Sequence, residues 1–382
     1  MTLTVSVAEL TKRIGKFSDM MTYGMKRSVR KHFREYLLGI MIPPENRRKS
    51  ISNISSLVSE YNQSTVNRAF HGIDSSLLEQ NYIKFLKTVI GNHSVMFIGD
   101  DTMLDHPGSK TMEYVGWFFD HASGNNVLAH QSVTSGLYDL DTDAFYPFIT
   151  GLYIKKMYGK EFKTKLEIME DIFNTAENNF NVAGKVVDSW YSSIKFLGSN
   201  FVTELKSNRK ASFDNMGRMT VKNSDLFYTM DEIIESTLIM HERDSDTLRE
   251  FPFQREFTVY LSNGNPVNLI ILYNPENRRK KFLISDYLSG EEMIRAWSIR
   301  WSIENFHEDA KAIGLEEYQV RDSEGSLIHA RITMAAYTLL SIMTRSSGKL
   351  FGRILKTIGE CSRAIKEILI LKKNYKTRLF SG

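Results

Sequence analysis

Two short apolar runs, each of which ends at an aspartate, decide the fold that the sequence predicts. The first is Ser94-Val95-Met96-Phe97-Ile98-Gly99-Asp100, and the second is Val182-Ala183-Gly184-Lys185-Val186-Val187-Asp188. A compact apolar run of this length is typical of a buried strand. Two more strands are predicted between the runs, over residues 114–119 and 126–134, with a turn at Ser123-Gly124-Asn125-Asn126.

A helix is predicted over residues 162–179, because Leu166, Met169, Ile172 and Phe173 recur at helical spacing. The predicted order is therefore three adjacent strands, a helix and a fourth strand, with acids at the ends of the first and fourth strands. That order is expected of a ribonuclease-H-like core, an α/β fold with a mixed sheet.

The composition is that of a globular protein of more than one structural unit. The chain has 382 residues, of which 42% are hydrophobic and 25% are charged. Its apolar runs are too short to cross a bilayer, and no secretory signal is visible at the N-terminus. The single cysteine, Cys361, excludes an internal disulfide and a multi-cysteine zinc site. We expect a cytoplasmic, nucleoid-associated protein with no membrane partner.

Five segments are expected along the chain. Residues 206–281 are polar and contain a predicted hairpin, with strands at 256–261 and 267–273 around a turn at Asn263-Gly264-Asn265. The segments are a helical DNA-binding domain (1–93), the first part of the ribonuclease-H-like core (94–205), a β-rich insertion (206–281), the second part of the core (282–345) and a basic helical tail (346–382).

Basic residues crowd both ends, although the net charge of +4 and the pI of about 8.8 are only mildly basic. Such clusters can neutralise DNA phosphates, or they can simply be solvated helix faces. The N-terminal cluster is Lys26, Arg27, Arg30, Lys31, Arg34, Arg47, Arg48 and Lys49. The C-terminal cluster is Arg345, Lys349, Arg353, Lys356, Arg363, Lys366, Lys372, Lys373, Lys376 and Arg378.

Two short helices are predicted after the first basic cluster. Residues 50–58 and 64–71 are separated by the polar turn Tyr61-Asn62-Gln63, and the second helix carries Arg68. This pattern fits a helix-turn-helix, although short helix pairs are also common without any DNA contact.

The stretch from Trp297 to Lys311 carries a polar stripe. At 3.6 residues per turn, Trp297, Arg300, Glu304 and Lys311 fall within roughly 60° of one another on a single long helix that begins near Ser289. Without context, the pair Arg300 and Glu304 is compatible with an ordinary surface salt bridge.

The spacing of this stripe resembles the tyrosine-arginine-glutamate-lysine helix of a large group of bacterial and archaeal insertion-sequence transposases. Arg300-Trp301-Ser302-Ile303-Glu304 is similar to the Arg-Trp-x-Ile-Glu segment of that group. Three further blocks match in the same order: Asp100-Asp101-Thr102, Asp188-Ser189-Trp190-Tyr191 and residues 201–209. The resemblance covers about residues 50–345, and it differs at Trp297, where the group has tyrosine.

The resemblance implies a DDE transposase whose catalytic and metal-binding residues are Asp100, Asp188 and Glu304. Two magnesium ions, for which manganese may substitute, would activate the attacking hydroxyl and stabilise the leaving oxygen. Asp101 and Glu308 are alternative ligands beside Asp100 and Glu304. His106, His121 and His130 lack zinc-like spacing and are expected to be structural or DNA-facing.

DNA contacts are expected from Trp297, Arg300, Lys311, Trp190, Tyr191, Lys206 and Arg209. Arg300 and Lys311 would hold phosphates. The aromatic residues Trp190 and Tyr191 would stack on an extruded base or pack under the sheet. Trp297 would stack or donate its N–H to DNA, or it would be a core residue.

These expectations define a transposase that cuts the ends of a mobile element and joins them to target DNA, with cut-and-paste transposition as the expected route. Its partners would be double-stranded DNA, comprising terminal inverted repeats and target, and a second subunit in a DNA-bound homodimer. The alternatives are a nuclease of the same fold without strand transfer and a non-catalytic DNA-binding protein derived from a transposase.

Overall fold

The computed structural model describes residues 7–42, 49–59, 61–109, 111–120, 123–159, 162–213, 228–235, 240–243 and 245–379, without the side chains of residues 7, 8, 235, 349 and 370–379. Among the predicted residues, Arg47, Arg48 and His121 lie outside this part of the chain. The side chains of Lys349, Lys372, Lys373, Lys376 and Arg378 also lie outside it.

The described helices cluster at the two ends of the chain and between the strands. In chain order they are α1 (Val7–Met21), α2 (Arg27–Met41), α3 (Ile51–Val58), α4 (Gln63–Phe70), α5 (Ser75–Ile90), α6 (Lys165–Glu177), α7 (Ile194–Leu197), α8 (Met230–Glu235), α9 (Gly290–Ser298), α10 (Trp301–Ala312), α11 (Ser323–Arg345), α12 (Ser347–Phe351) and α13 (Ile358–Leu379).

The described strands occupy the middle of the chain. They are β1 (Ser94–Asp105), β2 (Gly116–Asp120), β3 (Asn125–Asp139), β4 (Ala144–Tyr153), β5 (Asn181–Val187), β6 (Phe201–Glu204), β7 (Lys210–Ala211), β8 (Tyr228–Thr229), β9 (His241–Glu242), β10 (Phe253–Tyr260), β11 (Pro266–Asn274) and β12 (Arg279–Ser285).

Ten of the described strands form one mixed sheet in the order β2-β3-β1-β5-β6-β12-β11-β10-β9, with β4 also paired with β3. Strands β1, β3 and β4 are antiparallel neighbours, whereas β5 and β6 run parallel to β1. Helix α6 connects the antiparallel part to the parallel part. This is the ribonuclease-H-like arrangement that the sequence predicted.

The prediction of three adjacent strands before the helix was wrong in detail, because four strands precede α6. The missed strand is β4, which contains Pro147, and proline is a signal against a strand because it cannot donate to the ladder. Pro147 lies opposite Gly136, where the register between β3 and β4 shifts. The meander is therefore β1-β3-β4, and β2 pairs with the first residues of β3 at the sheet edge.

The segment predicted as an insertion continues the same sheet. Strands β10 and β11 form the expected hairpin, and β12 pairs antiparallel with both β11 and β6. The boundary placed after residue 281 consequently falls inside β12. Hydrogen bonding is thus continuous from the ribonuclease-H-like strands into this segment.

The N-terminal helices share the hydrophobic core of the sheet rather than forming a core of their own. Apolar residues of α1, α2 and α5 belong to one buried cluster with β1, β4 and α11. Two buried hydrogen bonds cross between these parts: Tyr36 contacts His329 Nδ1 at 2.7 Å, and Tyr82 donates to the Pro147 carbonyl at 2.6 Å. Helices α1–α5 therefore pack as part of the same body as the sheet.

Helix α11 lies at the centre of this packing. Among the described helices, it is long and apolar enough to cross a membrane by length and composition, but 72% of its apolar window is buried inside the fold. It contacts α2, α5, α13 and β4. This burial is that of a core helix.

Candidate active site

Asp100 and Asp188 lie side by side because of the strands that carry them. Strands β1 and β5 are parallel, with Gly99 opposite Val187. Asp100 and Asp188 come directly after this last pair, so both lie where the β1–β5 pairing ends. The first strand itself does not end at Asp100, as the sequence predicted, because β1 continues to Asp105 beside β3. Gly99 also allows α6 to pack closely, since a Cβ atom there would lie 2.6 Å from the Met169 sulfur.

Arg300 links Glu304 to Asp100. Its guanidinium group lies 2.5 Å from Glu304 Oε1 and 3.8 Å from Asp100 Oδ2, measured from Nη2 and Nη1 respectively. Asp100 and Glu304 therefore lie near the same guanidinium group. Asp188 is close enough for its charge to act on Asp100.

The sequence predicted one continuous helix through Trp297 and Glu304, but the structure has two. Helix α9 ends at Ser298 and α10 begins at Trp301. The Arg300 N–H bonds to the Trp297 carbonyl and the Ile303 N–H to the Arg300 carbonyl, both at 3.1 Å. These three-residue bonds tighten the backbone between the helices, so the 3.6-residue periodicity does not extend across Arg300.

The carboxyl group of Asp100 is poorly solvated. Its side chain is 18% exposed and accepts a hydrogen bond of 2.8 Å from the Asp101 backbone N–H. Burial raises the pKa of Asp100 to about 7, and the charges of Asp101 and Asp188 act in the same direction. The Asp101 N–H and Arg300 oppose this shift of the pKa.

Asp101 points to a different set of partners. Its carboxylate accepts hydrogen bonds from Lys165 Nζ at 3.0 Å, from the Tyr191 hydroxyl at 3.1 Å and from Gln131. Successive residues of a strand face opposite sides, which explains why the neighbours differ. The Asp101 carboxylate thus accepts from three side chains, whereas the hydrogen bond described above for Asp100 comes from a backbone N–H. Glu308, the other alternative ligand, is exposed on α10.

His307 fastens α10 to the strand beside Asp100. Its Nε2 lies 2.7 Å from the Thr134 hydroxyl, and that hydroxyl donates to the Asp100 carbonyl at 3.3 Å. Burial lowers the pKa of His307 to about 3, so the ring is neutral. The sequence pattern did not single out His307, although its position one turn after Glu304 was an available signal.

The tightest group of potential metal ligands in the described part of the chain lies elsewhere. One ligand atom each from His93, Asp139 and Asp141 lie within 4.8 Å of one another. Asp100, Asp188 and Glu304 do not form such a group, and the Arg300 guanidinium contacts two of their carboxylates.

Two aromatic residues that were expected to contact DNA are buried. Trp297 is 2% exposed, packs under the sheet in an apolar cluster with Met293 and Ile294, and has Arg300 4.9 Å from its ring. Tyr191 is fully buried, and its hydroxyl bonds to Asp101. This placement corrects the expectation of direct DNA contact and favours the core alternative for both residues.

Trp190, in contrast, is 56% exposed and lies on the wall of a cavity of about 630 Å³. Lys206 and Arg209, both expected to contact DNA, also line it. The lining residues are Phe118, Gln131, Tyr153, Lys155, Thr164, Lys165, Leu166, Ser189, Trp190, Lys206 and Arg209. Lys311 lies apart from this cavity, with Nζ 3.3 Å from Glu316.

Comparison with known proteins gives a family. The model of a family described as "Archaeal putative transposase ISC1217" matches residues 7–345. The chain belongs to this family. No curated protein matches it. A similar solved structure is the piggyBac transposase in a synaptic complex with hairpin DNA, with 12% identity and a TM-score of 0.48, covering 98% of this chain and 80% of that one.

In this member of the archaeal transposase family, both predicted helices of the helix-turn-helix are present as α3 and α4. The side chains of Ser50 and Asn62 cap their N-termini. Ser64 and Arg68 of α4 are exposed, whereas Val66 and Phe70 are buried. The second predicted helix of the helix-turn-helix therefore has an exposed polar face.

The N-terminal basic cluster of this transposase is only partly a surface feature. Lys49 is buried, and its ammonium group donates to the Ile40 and Ile42 carbonyls at the end of α2. Arg34 donates to the Thr11 carbonyl at 2.9 Å. Lys49 is therefore removed from the residues that can reach a phosphate. His130, held by Tyr318 and the Glu113 carbonyl at 2.7 Å each, is structural, and His106 is also buried.

Proposed function

We propose that this transposase cuts the ends of an insertion sequence and joins them to target DNA by two-metal phosphoryl transfer, by a cut-and-paste route. The observation that carries the proposal is the juxtaposition of Asp100 and Asp188 where the pairing of the parallel strands β1 and β5 ends, with Glu304 connected to Asp100 through Arg300. The family membership supplies the biological context.

The three carboxylates fit magnesium, which prefers oxygen ligands. The poor solvation of Asp100 is consistent with this site, because a buried carboxylate gains stability from an adjacent cation. In the proposed site, Asp100 would serve both ions, Asp188 one and Glu304 the other. Bound magnesium would activate the attacking hydroxyl and stabilise charge on the leaving oxygen.

The chain's own cations would position the DNA strand. Arg300 now contacts Glu304 and lies near Asp100, so it is placed to exchange a carboxylate for a phosphate oxygen once cations neutralise the acids. Lys311, one turn beyond His307, can act similarly by leaving Glu316. His307 and Thr134 would keep α10 at a fixed distance from β1 during these exchanges.

The proposed partners are the inverted repeats at the element's ends, the target DNA and a second copy of the chain that pairs two ends. Exposed residues of α4 and the remaining N-terminal cations would contact the end DNA. Because α1–α5 share the core of the sheet, this binding belongs to the whole chain and should be measured on it.

The test uses the full chain, magnesium and labelled duplexes that carry the element's own ends. We expect strand cleavage followed by joining to a second duplex, and both should stop when the metal is chelated. Glu304→Gln should abolish cleavage, whereas Glu308→Gln, an exposed acid one turn later, should retain it. Cleavage without joining would indicate a nuclease, and an active Glu304→Gln variant would refute the site.

A further inference from the structure

Asp188 lies where the pairing of strand β5 with its neighbours ends. The last described pairs of β5 join Val187 to Gly99 of β1 and to Thr203 of β6. These pairs hold the backbone of β5 up to Val187 and no further. Asp188 then begins a short 3-10 helix, Ser189–Tyr191, and its side chain does not cap this helix. The position of Asp188 therefore depends on what holds the segment that follows it.

Tyr191 connects this segment to β1. Its backbone N–H donates to the Asp188 carbonyl at 2.9 Å, which closes the turn. Its side chain is fully buried, and the hydroxyl donates to Asp101 Oδ1 at 3.1 Å. Asp101 is the neighbour of Asp100 on β1. A single residue thus connects the segment of the second acid to the strand of the first.

Both partners of this side-chain hydrogen bond are held by other parts of the fold. The second oxygen of Asp101 accepts from Lys165 Nζ of α6 at 3.0 Å and from Gln131 of β3. The salt bridge is largely shielded from solvent, because both of its side chains are 18% exposed. The Tyr191 ring lies 6.4 Å from the Phe196 ring of α7. The hydroxyl of Tyr191 and its acceptor are therefore fixed relative to the helices around the sheet.

We propose that Tyr191 is a positioning residue that sets the separation of Asp100 and Asp188 through its hydrogen bond to Asp101. The inference rests on the proposed function for the metals that these two acids would hold. Two-metal sites keep their ions roughly 3.5–4 Å apart, so their ligands must be held at matching distances. Hydrogen bonds behind the ligands supply this orientation. Loss of the Tyr191 hydroxyl should weaken metal binding while phenylalanine keeps the ring in the core.

The experiment measures metal binding directly. Mn²⁺ is added to the full chain without DNA, and electron paramagnetic resonance reports the free ion. Binding that is lost in Asp100→Asn belongs to the acids, which separates it from any other bound Mn²⁺. Tyr191→Phe should raise the dissociation constant of this binding roughly tenfold. In cleavage assays, the magnesium concentration at half-maximal rate should rise similarly, and most of the wild-type rate should return at saturating magnesium.

Tyr82→Phe is the matched control. Tyr82 is also buried, and its hydroxyl donates to the Pro147 carbonyl at 2.6 Å, between α5 and β4. Loss of that hydroxyl should lower the unfolding temperature but leave the Mn²⁺ affinity unchanged. This control separates a general loosening of the fold from positioning of the acids. Equal weakening of Mn²⁺ binding in Tyr82→Phe and Tyr191→Phe would overturn the inference.

A double variant tests whether Tyr191 acts through Asp101. Asp101→Asn should weaken Mn²⁺ binding, and adding Tyr191→Phe should weaken it little further, since both changes act on the same hydrogen bond. Losses that multiply in the double variant would contradict positioning through Asp101. Wild-type Mn²⁺ affinity in Tyr191→Phe would overturn the inference and leave the proposed function intact. Equal Mn²⁺ binding by wild type and Asp100→Asn would overturn both.

Discussion

The acids around Asp100 and those around His93 lie at opposite ends of the segment of β1 that pairs with β5, and their surroundings differ. Around His93, the Asp139 carboxylate accepts hydrogen bonds from His93 at 2.9 Å and from the Asp141 backbone at 3.0 Å. Burial acts to raise the pKa of Asp139, but these bonds hold it below its usual value. Asp100 has few such partners, and its pKa is raised to about 7.

The difference shows that proximity of ligand atoms is a poor guide to a catalytic site. The His93 group is the closer one, yet each buried oxygen there has a protein donor and the turn after β3 explains its geometry. The group around Asp100 is looser, but it contains a poorly solvated carboxylate and a guanidinium group. A buried carboxylate with few hydrogen-bond donors is a stronger indication of a metal ligand than closely spaced ligand atoms are.

The largest expected effect is on cleavage. Asp100→Asn should reduce the rate of DNA cleavage by roughly 10³-fold or more, because a metal ligand is lost with almost no change in shape. Asp139→Asn should stay within about threefold of wild type once the folded fraction is corrected for. Asp101→Asn is a second control and should be milder than Asp100→Asn. A comparable loss in Asp139→Asn would reverse the ranking of the two groups.

The next effect concerns the support beneath Arg300. Trp297→Ala should lower the free energy of unfolding by about 3–5 kcal/mol, because it empties a large buried volume under the guanidinium group. Trp301→Ala is the matched control, since Trp301 is 54% exposed, and should cost less than about 1 kcal/mol. Chemical denaturation measures both variants. Normal stability of Trp297→Ala combined with lost DNA binding would restore the contact role.

The smallest effect is a pH dependence of opposite sign in the two groups. The folded-state pKa of Asp100 lies above the usual 3.8, so its ionisation destabilises the folded protein increasingly from about pH 4 to pH 7. Without divalent cations, the free energy of unfolding of Asp100→Asn should therefore exceed that of wild type by roughly 2–4 kcal/mol at pH 8. At pH 4 the two proteins should be equally stable.

Asp139 should behave in the opposite way. Its folded-state pKa is lowered, so its stabilising effect is present above the usual aspartate range and is lost as the pH falls. Asp139→Asn should unfold at a lower temperature than wild type at pH 7. The difference between the two unfolding temperatures should decrease as the pH falls. Thermal unfolding across this pH range checks both variants. Shifts of the same sign would contradict the electrostatic difference between the group around Asp100 and the group around His93.

Local patterns in the sequence predicted the strands that carry Asp100 and Asp188, because buried runs ending at acids are short-range signals. They did not predict β4, where Pro147 is tolerated because this strand pairs with β3 alone among the described strands and lies beside a register shift. Nor could periodicity predict the break at Arg300, which places Trp297 in the core instead of beside Glu304. The contacts of His307 and Asp101 depend on residues far apart in sequence.

The packing of α2 against α11 has a consequence for how the chain is made. Tyr36 contacts His329, which lies 293 residues later in the sequence. Ser362 donates a hydrogen bond to the Met41 carbonyl, which lies 321 residues earlier. At about 5–20 residues per second of synthesis, the apolar face of α2 waits roughly 15–60 s for its partner. During that interval the nascent chain offers an uncovered helix face to chaperones, proteases and other nascent chains, so growth temperature and ribosome speed should influence the yield of folded transposase.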